Sequence, residues 1–126
     1  MADTSVFVAV EQERTVGDPP PGQARVSVAT LTELVFGVHR AEHGPARELR
    51  EETLRRAGSF IAMPYDELVA QRLGELLAAA RNAQRRAGIM DAIIAATALA
   101  HDLTVWTQDD DFDVLAELMP ALRVSR

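Results

Sequence analysis

The chain has 126 residues, enough for one domain spanning 1–126 with a real core, and 48% of them are apolar but few are aromatic. It has no cysteine, which excludes disulfides, thiolate zinc sites and cysteine nucleophiles. All 13 basic residues are arginine against 19 acidic ones, a net charge of −6, so a lysine-dependent phosphate-binding loop is excluded and sequence-independent nucleic-acid binding is disfavoured. The longest apolar run, residues 92–100, is roughly half a membrane span, and "MADTSVF" lacks a basic leader, so a cytoplasmic protein without membrane contact is expected.

In chain order, "SVFVAV" (5–10) is apolar and β-branched and suits either a strand or a helix, and "GDPPPG" (17–22) is a firm break. "ARVSVA" (24–29) alternates as a strand does. In 30–41, Leu31, Leu34, Val35 and Val38 recur at helical spacing behind Thr30-x-x-Glu33, a capping-box pattern. Residues 45–57 read as a charged helix with few core contacts, and 59–64 as a short strand closed by proline. A long helix over 65–88 should turn Leu68, Leu73, Leu76 and Leu77 inward. Residues 90–102 are apolar nearly all round and predict a buried helix. A strand (103–107), a helix (111–119) and an edge strand (121–125) complete the chain. Strands alternating with helices imply parallel pairing and a three-layer α/β/α sandwich with a short, mainly parallel central sheet.

In such sheets ligands lie beyond the carboxyl ends of the strands. Asp3 stands at the start of the chain, Glu33 follows the "RVSVA" strand, Asp91 opens the buried helix, and Asp109 and Asp111 follow "LTVWT". Carboxylates gathered there without lysine neighbours raise one another's pKa values or recruit a cation. Oxygen donors alone select Mg2+ or Mn2+ over zinc. Such ions hydrolyse phosphodiesters by activating a water and neutralising the phosphate.

Three segments, "DTSVFVAV", "SVATLTELVFGV" (27–38) and "GIMDAIIAATALAHDLTVWTQDDDF" (88–112), together with their order and spacing, make the chain similar to the PIN-domain ribonucleases, and within them to VapC-type toxins of toxin–antitoxin pairs. The resemblance covers nearly the whole chain. It implies a PIN fold and a metal-dependent endoribonuclease leaving 5′-phosphate and 3′-hydroxyl ends. It also implies a homodimer and a cognate antitoxin that threads a peptide, often with an arginine, into the acidic groove. Asp3, Glu33, Asp91 and Asp109 resemble the catalytic, metal-holding set, and Asp111 an additional metal ligand. Only Met1 and Ala2 precede Asp3, so the first strand is either very short or begins upstream.

Each residue also has a structural reading. Asp3 suits a helix N-cap, Glu33 a capping box, and Asp111 is balanced between N-cap and metal ligand. Asp110 and Asp113 read as solvated helix-start charges, and His39, His43 and His101 as exposed or capping. Thr107 is placed either to hydrogen-bond a site carboxylate or as an ordinary strand residue. Arg85 and Arg86 are expected to close the long helix, with phosphate or Asp91 as a second role. Two rival functions remain at this point. One is a silent PIN-fold module docking an arginine-bearing peptide. The other is a DNA-directed nuclease, which would usually carry the insertions and basic clamps missing here.

Overall fold

Six helices and four short strands alternate along the computed structural model, which describes residues 1–126. They are α1 (Thr4–Glu11), β1 (Arg25–Ser27), α2 (Val28–Arg40), α3 (Pro45–Ala57), β2 (Ile61–Met63), α4 (Glu67–Asn82), α5 (Ile89–Ala100), β3 (Thr104–Trp106), α6 (Asp111–Leu118) and β4 (Arg123–Ser125). β1 pairs with β2 and β3 with β4, both parallel, with Val26 opposite Ala62 and Val105 opposite Val124. Ala2 joins the two pairs, bridging Val26 on one side and Trp106 on the other. Its N–H donates to the Arg25 carbonyl at 2.8 Å, and the Asp3 N–H donates to the Trp106 carbonyl at 2.9 Å. The sheet therefore runs β2–β1–Ala2–β3–β4, with Ala2 as the bridging residue at its centre.

Side chains alternate across the sheet as the pleat requires. Met1, Met63 and Val105 join the larger core with Leu73, Leu76, Ile94, Phe112 and Leu115 from α4, α5 and α6. Ala2 and Val26 join the smaller core with Phe7, Leu34 and Ala57, against which Trp106 packs. Helices on both faces make the expected three layers. Ala92, Ile94, Ala95, Ala96, Thr97 and Ala98 of α5 are all buried, so its all-round apolar sequence reflects an interior helix, packed chiefly against α4. No helix is long and apolar enough to cross a membrane.

The structure decides one reading the sequence left open and differs from it in three details. "SVFVAV" resolves as helix, because the Asp3 side chain caps it. Leu68 and Leu77 are exposed, at 57% and 38%. The inward stripe of α4 is Val69, Leu73, Leu76 and Ala80, spaced i, i+4, i+7, i+11, and the two leucines flank it. Val35 likewise sits outside the buried face of α2, which is Ala29, Thr30, Leu34 and Val38. The long helix ends at Asn82, not 88, because Gln84 turns left-handed (φ 53°) and the Arg85 N–H closes on the Ala80 carbonyl at 2.8 Å.

Candidate active site

The carboxyl ends of β1, β3 and the Ala2 bridge face the same side, and each hands the chain to a helix or turn bearing an acid. Asp3 follows Ala2 in extended backbone and is only 2% exposed. Its Oδ1 accepts from the Thr4 N–H at 2.6 Å. Its Oδ2 accepts from the Ser5 N–H (3.1 Å), the Ser5 hydroxyl (2.6 Å) and the Thr107 hydroxyl (2.9 Å). It is thus both the N-cap of α1 and a wall of the site, and a buried charge held this way is well compensated.

Glu33 does not belong to a capping box. α2 begins at Val28, and Ser27, the last residue of β1, caps it by accepting from the Ala29 N–H at 3.2 Å. Glu33 therefore stands inside the helix, and its Oε2 accepts from the Thr4 hydroxyl. Burial pushes its pKa up, the Thr4 hydrogen bond opposes this, and the charges of Asp3 and Asp109 add to the rise.

Asp91 is the third residue of α5 and folds back over Gly88, where a Cβ would lie 2.7 Å from its Oδ2. Burial, then the fields of Asp3, Glu33, Asp109 and Asp111, push its pKa up to about 6, with no hydrogen bond opposing them. Asp109 follows Thr107, whose hydroxyl accepts the Asp109 N–H at 2.9 Å. The Asp109 Oδ1 accepts from the Asp111 N–H at 2.9 Å, so the side-chain bond at the start of α6 comes from Asp109 and not from Asp111.

Asp3, Glu33, Asp91 and Asp109 line one open cavity of about 280 Å³, shared with Thr4, Ser5 and Arg14. Asp111 lies outside it, on a neighbouring cavity of about 30 Å³ with Asp91 and Arg86, so Asp91 borders both. The carboxylates ring the space without three of them closing on a common point at ligand distance. Asp110 and Asp113 are tied to Arg126 at 3.0 and 2.7 Å, away from the cavity. His39 and His43 are exposed and His101 ends α5. Arg85 and Arg86 lie in the loop after α4; Arg85 pairs with Glu117 at 3.5 Å.

Sequence reasoning missed Thr4, Ser5 and Arg14 as parts of the site. The first two carry a signal, being hydroxyls directly after the first acid. Ser5 also accepts the Gln108 N–H at 2.8 Å, tying the turn after β3 to α1. Arg14 has no such signal, since α1 and a turn separate it from Asp3.

The family model of the PIN domain matches residues 1–118. The chain belongs to the PIN-domain family. It is 38% identical over 119 residues to "Ribonuclease VapC4" of Mycobacterium tuberculosis, covering 94% of this chain and 92% of that protein. It is 37% identical to "Ribonuclease VapC5" of the same organism, over 90% and 84% of the two chains. The crystal structure of VapBC-5 from M. tuberculosis, a member of the VapBC family of toxin–antitoxin systems, superposes with a TM-score of 0.81 at 29% identity, covering 99% of this chain and 95% of that one. The DNA-bound VapBC of Salmonella typhimurium, at 20% identity and a TM-score of 0.77, shares the fold.

Proposed function

We propose that this PIN domain is a divalent-metal-dependent endoribonuclease, the toxin of a toxin–antitoxin pair. The observation that carries the reading is the convergence of Asp3, Glu33, Asp91 and Asp109 on one cavity with no lysine or histidine on it. The similarity to ribonucleases named VapC supplies the reaction class.

A magnesium or manganese ion suits this donor set. The donors are oxygen only, and Glu33 and Asp91 have pKa values raised by burial and by the neighbouring carboxylates. The spread of the ring also suits magnesium, which keeps several waters and needs only one or two direct carboxylates. Asp3, Glu33, Asp91 and Asp109 would hold the ion on this reading, with Asp111, beside Asp91 on the adjoining cavity, as an additional carboxylate. The ion supplies charge neutralisation of the phosphate and a lowered pKa for the attacking water. The chain's own part is to hold the acids in place: Thr107 and Ser5 fix Asp3, Thr4 fixes Glu33, and a carboxylate of the ring accepts the water's proton.

The partners follow from the same reading: RNA as substrate in the cytoplasm, a second copy of the chain, and an antitoxin. A cavity of about 270 Å³ between α1 and α3, walled by Phe7, Val10, Leu49, Phe60 and Trp106, offers an apolar seat for an antitoxin peptide on the face of α1 opposite the acidic cavity. An arginine of that peptide would meet the acids.

Asp91→Asn tests the reading, because Asp91 caps nothing and the variant keeps its shape. Cleavage of total RNA with Mg2+ should fall at least about a hundredfold while the circular dichroism spectrum is retained. Wild-type cleavage by the variant would overturn the assignment.

A further inference from the structure

An acidic cavity that receives RNA faces a difficulty that a bound ion does not remove. The ion offsets the phosphate being cut, but the phosphates beside it still approach carboxylates. Of the 13 arginines of the chain, Arg14 alone shares the cavity with Asp3, Glu33, Asp91 and Asp109.

Its position is built by the end of α1. Glu13 adopts a left-handed conformation (φ 55°), and the Arg14 N–H donates to the Ala9 carbonyl at 2.8 Å while the Glu13 N–H donates to Val10 at 3.1 Å. This is the Schellman closure, and it fixes the backbone from which the Arg14 side chain leaves. The side chain itself is uncommitted. It is exposed and enters none of the ion pairs of the molecule. Nor does it act as counter-ion to the acids beside it. Glu33 and Asp91 are pushed upward by burial and by other carboxylates, with no arginine among the influences on either. A guanidinium on the wall of an acidic cavity, held by its backbone and unpaired by its neighbours, is free to take an anion from outside.

We propose that Arg14 is a substrate-binding residue of this site, donating to a non-bridging oxygen of an RNA phosphate next to the one cleaved. The inference rests on the ribonuclease reading and adds the residue that holds the strand in register over the acids. Arginine suits the task as a permanent cation with N–H donors on a long, adaptable side chain.

The test is steady-state cleavage of a short single-stranded RNA by wild type, Arg14→Gln and Arg14→Lys, with Arg81→Gln as a control. Arg81 is an exposed arginine on the last turn of α4 that borders no cavity. Arg14→Gln should raise KM about tenfold with kcat within about threefold, and Arg14→Lys should recover most of the loss. In an Asp91→Asn background, Arg14→Gln should lower the salt-dependence slope of RNA binding by about 0.7, the value of one phosphate contact on a single strand. The control should change neither. An unchanged KM and salt slope, or a loss confined to kcat, would overturn the proposal. If wild type cut no RNA at all, the ribonuclease reading would fail first, and that result is distinct from wild-type cleavage that ignores Arg14.

Discussion

Two aspartates that look equivalent in the sequence have opposite standing in the fold. Asp3 accepts four hydrogen bonds and caps α1, so its charge is wanted by the protein even without an ion. Asp91 has no such support, and its pKa of about 6 records the cost of ionising it. Its folded-state pKa lies above the ordinary 3.8, so the native state binds the proton more tightly than the unfolded chain. In chelator, the destabilisation from Asp91 is therefore absent below about pH 4, grows as pH rises towards 6, and is fully present above it. A shift of that size at a buried site would be worth about 3 kcal/mol; Asp91 is only half buried, and screening reduces this to about 1 kcal/mol. Asp91→Asn should thus stabilise the metal-free protein by about 1 kcal/mol at pH 7 and leave it unchanged near pH 4. Asp3→Asn should cost about 1–3 kcal/mol at pH 7, because the amide cannot accept all four bonds. Urea unfolding at the two pH values checks both, and equal signs for the two variants would refute this division.

At the scale of the element, three helices end in the same way and none of them announces it. α1, α4 and α5 close with Glu13, Gln84 and Asp102 at φ 55°, 53° and 53°, each followed by a residue whose N–H reaches back to the third-last carbonyl of its helix. Glycine is the residue this geometry favours. Gln84→Gly should therefore stabilise the chain by up to about 1 kcal/mol, seen as a higher thermal midpoint, with the α5 entry undisturbed. Gly88 carries the complementary prediction. Its backbone (φ −60°, ψ 134°) suits any residue, but an added methyl meets the Asp91 carboxylate. Gly88→Ala should leave the urea midpoint nearly unchanged and weaken Mg2+ binding about tenfold or more by turning Asp91 aside, which calorimetric titration would measure. These ends also explain what the sequence hid. The sequence pattern carries α4 on to 88, where a glycine offers a visible stop, while the real stop is a glutamine in a glycine's conformation. The helix at 5–10 was ambiguous because its apolar residues suit a strand equally; the Asp3 cap decides it. The capping box at Thr30 misled because Ser27, three residues earlier, competes for the same role and lies at the strand end. The acidic residues were legible because parallel topology sends the ends of β1, β3 and the Ala2 bridge to one side, and because the resemblance to PIN-domain proteins adds Asp91 at a helix start. Arg14 was not, since nothing local links it to them.

The whole molecule has two sheet edges, and they are defended differently. β4 carries Arg123, which pairs with Asp102 at 2.8 Å, and is followed by Arg126, which holds Asp110 and Asp113. Charged side chains of this kind discourage pairing with another chain. β2, at the other edge, reads Ile-Ala-Met with no charge, and Ile61 is 46% exposed. Tyr65 and Leu68, just beyond it, are exposed at 49% and 57%. An uncharged edge followed at once by two large exposed side chains offers a second copy a place to dock, and a stable contact needs about 800 Å² from each partner. The proposed homodimer is therefore expected on the β2 side and not on the β4 side. Sedimentation equilibrium should give twice the chain mass of 13.7 kDa, and the urea midpoint should rise with protein concentration, as mass action requires of a dimer. Leu68→Arg places charge on an already exposed position, so the fold should survive while the species sediments as a monomer with a concentration-independent midpoint. Arg123→Ala, at the opposite edge, should leave the dimer intact. A dimer that persists in Leu68→Arg and dissociates in Arg123→Ala would put the interface at the wrong edge of this sheet.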